Sequence, residues 1–151
     1  MGRMVQSAET NLREKLMKRL ILIVVTALAL NGCAIIDIYR QAKWDNNEYH
    51  LANEIQTAAT LGIDFCGNPK DVVYYVDHIY AKSVEFRNYT VDIERNKEAT
   101  VMADNLVSIT KSLKERYHSG DEPSQKYCEL KMTTVQTSTG TIKRVLGAKP
   151  R

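Results

Sequence analysis

The chain has 151 residues, of which 44% are hydrophobic, 26% are charged and 7% are aromatic. This length supports one modest hydrophobic core, and the seven Gly and three Pro exclude a collagen-like or Pro/Gly-rich disordered chain. The net charge of +3 is too small to indicate a nucleic-acid partner, which usually requires a clustered basic face. Three cysteines cannot all pair within one chain, so one of them needs another explanation.

A targeting segment over residues 17–32 is the first strong pattern. Lys18 and Arg19 precede an apolar run of 11 residues, from 20 to 30, which has the dimensions of a secretory signal peptide. The run ends in Leu30-Asn31-Gly32-Cys33, which resembles the lipobox of bacterial or phage-encoded lipoproteins. The resemblance implies that the Cys33 thiol is acylated and that the chain is cut before this residue.

Two alternatives to a cleaved signal stay open. The uncharged stretch from 20 to 36 has 17 residues, which is the short limit for crossing a hydrocarbon core of ~30 Å, so it could be an uncleaved anchor. It could also be a buried core helix. Residues 1–16 are polar and unlike the start of a signal peptide. We therefore expect translation to begin at Met17 and interpret residues 1–16 as a polar or non-native extension.

The lipoprotein resemblance also implies a location. Acyl chains on Cys33 would anchor the protein in a lipid membrane, because stable anchoring needs more than one chain; no other cofactor is expected. Ala34, rather than Asp, follows the cysteine, which for Gram-negative lipoproteins implies the periplasmic face of the outer membrane. An N-terminal anchor in the inner membrane is the alternative. Cleavage before Cys33 would leave 119 residues with 16 basic and 16 acidic side chains, and hence no net charge.

Helical periodicity dominates the expected periplasmic domain, residues 33–141, and we predict an all-α fold, a small bundle of three to four helices. Apolar positions between residues 35 and 61 share one helical face. Polar residues 45–47 interrupt this face, so one long kinked helix and two short helices are both open. Gly62 is expected to end the first helical region.

The second predicted helix begins with Asn68 as N-cap and Pro69 in the first turn. A corner near Asn88 is expected to end this helix and lead to the third. The predicted packing face of the second helix is formed by Val73, Val76, Tyr80, Val84 and Arg87, with Val72, Ile79 and Phe86 beside it.

The third predicted helix has apolar residues three and four positions apart and ends before Gly120. A fourth helical segment begins near Ser124 and is expected to place Tyr127, Cys128, Lys131 and Val135 on one side. Residues 142–151 are interpreted as a frayed basic tail. The apolar positions of the third helix are Ala99, Met102, Leu106, Ile109, Leu113 and Tyr117.

With Cys33 acylated, Cys66 and Cys128 form an even pair in an oxidising compartment, so we expect a disulfide between them. The bond would also test the topology. A continuous helix over residues 70–117 would be about 70 Å long, whereas a disulfide requires Cα atoms within about 7 Å. The second and third helices should therefore form an antiparallel hairpin. Two free buried thiols and an intermolecular bridge are the alternatives.

A cluster of polar and aromatic residues on the second helix is a candidate surface for a partner protein, because tyrosine offers amphipathic contact area. The alternative is a core helix whose tyrosine hydroxyls stay in water. The cluster consists of Tyr74, Tyr75, Asp77, His78 and Tyr80.

No sequence motif indicates catalysis, phosphate binding or a metal site. His50 and Glu54 lie one helical turn apart, but two ligands do not make a metal site, so a solvated pair is expected. We hypothesise a membrane-anchored envelope lipoprotein that acts through contacts with an envelope protein, in assembly, inhibition, exclusion or phage lysis, and not as an enzyme. A cell-wall-associated enzyme and a peptidoglycan tether that uses the basic tail are the alternatives.

Overall fold

The computed structural model describes residues 42–151, so the targeting segment, the expected start at Met17 and Cys33 lie outside the described residues. The described part contains no strand and folds into four helices joined by connections of four to six residues. Helix α1 packs on α2 and α4, and α3 packs on the same two helices, as in an antiparallel four-helix bundle. The predicted all-α bundle is confirmed. The helices are α1, Asn46–Asp64; α2, Pro69–Val91; α3, Lys97–His118; and α4, Gln125–Gly147.

Helix α1 begins at the polar residues that interrupt the predicted helical face. The Asp45 side chain caps the helix by accepting a hydrogen bond from the backbone N of Glu48 at 2.8 Å. Residues 42–45 are not helical. One continuous helix from residue 35 to 61 is therefore wrong, and residues 35–41 of that prediction lie outside the described residues.

Gly62 lies inside α1 and does not end it, contrary to the prediction, because the helix continues to Asp64. A Cβ atom at Gly62 would lie 3.1 Å from Cε of Met132 on α4 and 3.2 Å from Cβ of Tyr75 on α2. The glycine therefore has a packing role, since it allows α1 to approach both neighbouring helices closely.

The start of α2 is confirmed, because the Asn68 side chain accepts a hydrogen bond from the backbone N of Lys70 and Pro69 is the first helical residue. The expected corner at Asn88 is wrong, since α2 continues to Val91 and the chain turns over residues 92–96. The predicted packing face is also rotated. The residues of α2 that are buried are Val72, Val76, Ile79, Ser83, Phe86 and Thr90.

Helix α3 ends near the predicted position, and Gly120 follows it with a φ angle of +93°. Ser124 then caps α4 by accepting a hydrogen bond from the backbone N of Tyr127. Helix α4 continues through residues 133–141, which are rich in Thr and Ser, to Gly147. The prediction of a frayed tail over residues 142–151 is wrong, because Ile142 and Leu146 are buried in the core.

The disulfide between Cys66 and Cys128 is confirmed, with Cα atoms 5.5 Å apart and both residues buried. It links the segment after α1 to the first turn of α4. The antiparallel hairpin of α2 and α3 brings these two positions to the same end of the bundle, as the geometric argument requires. We call this end the disulfide end.

The other end of the bundle, at which the chain enters through Ala42, is closed by hydrogen-bonded polar groups. We call Glu48, Asn96 and Lys149 the polar clasp. Asn96 Nδ2 donates to Glu48 Oε1 at 2.6 Å, and Lys149 Nζ donates to Glu48 Oε2 at 2.5 Å and to Asn96 Oδ1 at 2.6 Å. All three side chains are buried or nearly so. The carboxyl terminus is therefore part of the fold.

Candidate functional site

The predicted cluster on α2 divides between two sides of the helix. Tyr74, Tyr75 and His78 line a groove between α1 and α2. Asp77 lies on the side that contacts α3, where its Oδ1 is 3.3 Å from Lys114 Nζ and 3.0 Å from Nε2 of His118 on α3. The structure thus brings together three of the five predicted residues.

Tyr80, the fifth member of the predicted cluster, also belongs to the α3 side. Lys114 Nζ lies 5.0 Å from the centre of the Tyr80 ring, within the range of a cation–π contact. Asp77 and Tyr80 therefore hold α2 against α3 and do not form part of the surface that Tyr74 presents.

The α1–α2 groove is an open depression of about 510 Å³. It has one wall from each helix, so its residues come from two separated parts of the sequence. The residues that line it are Asn53, Glu54, Thr57, Ala58 and Leu61 from α1 and Tyr74, Tyr75, His78 and Lys82 from α2.

Aromatic and apolar side chains dominate the part of the groove nearest the disulfide end. The Tyr74 ring is 69% exposed and stacks on His78 with ring centres 6.0 Å apart. Tyr75 joins Tyr74 to Phe65, because its ring is 5.5 Å from the first and 4.9 Å from the second. Leu61 and Phe65 are 47% and 36% exposed. Exposed apolar surface that is contiguous, rather than scattered, is typical of an interaction site.

Sequence reasoning missed Leu61 and Phe65, although their spacing of four residues was an available signal. This spacing also fits the core-facing side of α1. Their exposure depends on how α1 and α2 pack together, because this packing half-buries Tyr75 but leaves Leu61 and Tyr74 open to solvent.

Charged side chains occupy the other part of the groove. Lys82 Nζ lies 3.0 Å from Glu54 Oε2 and 3.0 Å from Glu85 Oε2, so two carboxylates share one ammonium group. The hydrogen bond from Lys82 holds the pKa of Glu54 below its ordinary value. Hydrogen bonds to Glu85 and then to Glu54 raise the pKa of Lys82. Each partner thus stabilises the charged form of the other.

His50 and Glu54 form the solvated pair that the sequence predicted. Nε2 of His50 is 3.4 Å from Glu54 Oε1, and the His50 side chain is 62% exposed. Within residues 42–151, no group of three or more His, Cys, Asp or Glu side chains could hold a metal ion. Glu54 contacts Lys82 and His50.

Comparisons of the chain with protein-family models, with curated proteins and with solved structures find no match. Among the helices of residues 42–151, none is long and apolar enough to span a membrane.

Proposed function

We propose that this chain is a membrane-anchored envelope lipoprotein, bacterial or phage-encoded, that acts by contacting a partner protein through the α1–α2 groove. The observation that carries the proposal is the contiguous exposed surface formed by Leu61, Phe65 and Tyr74 beside the groove. Tyrosine and phenylalanine are enriched at protein interfaces because they bury large area at a low cost in conformational entropy.

The short length of chain between Cys33 and the bundle supports this proposal. Eight residues lie between Cys33 and Ala42, a length of chain that spans at most about 30 Å. A lipid on Cys33 would therefore keep the entry end near the membrane. The aromatic surface lies towards the disulfide end, which is about 28 Å away along α1 if each of its 19 residues rises about 1.5 Å. Such an arrangement would present the groove to a partner rather than to the lipid.

Particular residues give less support to the two alternatives. A peptidoglycan tether through the tail would use its basic side chains, but Lys149 is buried in the polar clasp and Lys143 donates to Asn53 and Gln56. Two of the four basic residues, Arg144 and Arg151, are left exposed for such a contact. A pocket that combined Glu54, Asp77 and His78 would favour the cell-wall-associated enzyme. Asp77 instead contacts α3 and does not line the groove.

Metabolic labelling with palmitate tests the anchoring part of the proposal. Cells that express the full chain should incorporate label into the protein, and the protein should sediment with the outer membrane. Cys33→Ala should abolish both labelling and cleavage. Cys66→Ala is the matched control, because it removes a cysteine of the folded domain and should leave labelling intact. Labelling that persists in Cys33→Ala would overturn the proposal.

A further inference from the structure

We propose that the segment that occupies the α1–α2 groove is an amphipathic α-helix of the partner protein, whose apolar stripe ends in a lysine or an arginine. This inference deepens the proposed function and rests on it, since it gives the chemistry of the partner at the same surface. Three features of the groove support it: its length, its apolar half and its charged half.

The length of the groove matches about two turns of a helix. On the α1 wall, Glu54 and Leu61 are seven residues apart, which corresponds to about 10 Å along the axis. On the α2 wall, Tyr74 and Lys82 are eight residues apart, or about 12 Å. Two helices side by side form a trough into which a third helix can lay one face, and this is a recurring mode of peptide recognition.

The apolar half of the groove fits the stripe of such a helix. Ala58 is small and buried at its floor, while Leu61 and Tyr74 stand exposed on either side. A partner with apolar residues three and four positions apart would place them over Ala58 and between these two side chains. Their burial would remove the exposed apolar surface from water.

The charged half of the groove indicates which residue should follow the apolar stripe of the partner helix. Glu54 and Lys82 line the groove, and Glu85 lies at its margin, where it shares the Lys82 ammonium group with Glu54. These three side chains carry one more carboxylate than ammonium groups. His50 contacts Glu54 and His78 stacks on Tyr74, and Asp77 contacts α3 instead of this cluster. A cation on the partner, about two turns from its apolar anchor, would pair with the excess carboxylate. Such pairs set the direction and register in which a partner docks.

Other ligands fit less of this arrangement. A neutral glycan strand could stack on Tyr74, but it brings no cation for Glu54 and Glu85. A second copy of this chain would have to place an exposed apolar helix face with an adjacent cation against the groove. Both occupants are outcomes that the following experiment detects.

Photo-crosslinking of the full chain in cells tests the proposal. The photoreactive residue p-benzoylphenylalanine is placed at Tyr74 or at Thr57, both of which line the groove, and the crosslinked peptides are sequenced by mass spectrometry. Leu130 is the control position, because it is 65% exposed on α4 and does not line the groove. Both groove probes should capture one segment of another polypeptide, with helical apolar spacing and a Lys or Arg about seven residues from the captured apolar residue.

Charge variants supply the second readout. Glu54→Gln combined with Glu85→Gln should lower the crosslinking yield at Tyr74 about fivefold. Glu54→Lys should lower it further, and a Lys→Glu or Arg→Glu change in the captured segment should restore it. An extended or acidic captured segment, capture of a second copy, equal yield from the Leu130 probe, or no product at all would overturn the inference.

The outcomes also separate this inference from the proposed function. Capture of a protein segment without helical apolar spacing overturns the inference alone. Capture of a glycan or a lipid overturns both the inference and the proposed protein contact. Absence of palmitate label from the unsubstituted chain, by contrast, overturns the anchoring and leaves the crosslinking result unaffected.

Discussion

The two ends of the bundle are closed by different kinds of interaction. At the entry end, the polar clasp buries a carboxylate, an amide and an ammonium group that satisfy one another. At the disulfide end, a covalent bond joins α4 to the segment after α1, and aromatic side chains remain exposed beside it. The comparison indicates that the disulfide holds its end of the bundle together. The aromatic side chains at that end can therefore stay exposed to water, because they are not needed to pack the helices.

The two closures also stabilise the fold in different ways. A buried ion pair contributes little net free energy, because desolvation offsets the attraction, but the loss of one partner leaves an uncompensated buried charge. A disulfide acts mainly by restricting the unfolded chain. The entry end should therefore be sensitive to single substitutions, and the disulfide end to redox conditions.

Loss of the clasp cation should have the largest effect. Lys149→Met leaves Glu48, which is fully buried, without its ion-pair partner, and should lower the free energy of unfolding by about 3–5 kcal/mol in urea denaturation. The double variant Glu48→Leu, Lys149→Met should recover a large part of this loss. Equal stability of Lys149→Met and the unsubstituted chain would show that the clasp does not close the entry end.

Loss of the disulfide should have the next largest effect. Replacement of Cys66 and Cys128 by alanine should lower the free energy of unfolding by about 2–4 kcal/mol, because the bond closes a loop of 62 residues. Hydrogen exchange should quicken first in the last turn of α1 and the first turn of α4, while the polar clasp stays protected. If protection falls evenly along all four helices, the two ends are not independent.

Two glycine substitutions compare a tightly packed position in α1 with a less crowded position in α4. Gly62→Ala should destabilise the protein by about 1 kcal/mol, because the new Cβ would meet Cβ of Tyr75 at 3.2 Å. The free-energy cost of this close contact should exceed the gain in helix propensity from alanine. Gly140→Ala should be neutral or stabilising by up to about 1 kcal/mol, since among the described residues the new Cβ would meet Nε2 of Gln56 alone, the far end of a flexible side chain whose hydrogen bond to Gln136 O is long at 3.3 Å. Thermal unfolding of both variants measures the difference. A more stable Gly62→Ala would mean that α1 can shift away from α2.

The smallest effect concerns pH and the charged half of the groove. Because Lys82 lowers the pKa of Glu54 below 4.5 in the folded protein, this pair adds stability above pH 4.5. The contribution is lost as the pH falls through the lowered pKa. It should be less than about 1 kcal/mol, since both side chains are partly exposed.

Glu54→Gln should therefore flatten the acid side of the stability profile, as measured by urea denaturation between pH 3 and 7. Glu122→Gln, in the exposed connection before α4, is the control. A profile that is equally steep in Glu54→Gln and in the control would exclude the Lys82 contact as its cause.

The candidate site could be predicted only in part. Tyr74, Tyr75 and His78 were found because they lie within one turn of a single helix. Asp77 and Tyr80 share the same segment, but they contact α3, and sequence proximity cannot distinguish the sides of a helix before its neighbours are placed. Leu61, Phe65 and Lys82 were missed because the groove has walls from two helices that are separate in the chain.

Local sequence signals were sufficient to predict the helical class, the starts of α2 and α4 and the pairing of Cys66 with Cys128. Caps, prolines, periodicity and cysteine number are local or compositional signals, so they need no knowledge of the packed state. The burial of Lys149, the continuation of α2 to Val91 and the packing role of Gly62 became known from the packed helices and not from the sequence. These outcomes depend on which groups meet across the bundle, and a buried cation is stable only where a distant carboxylate, here that of Glu48, receives it.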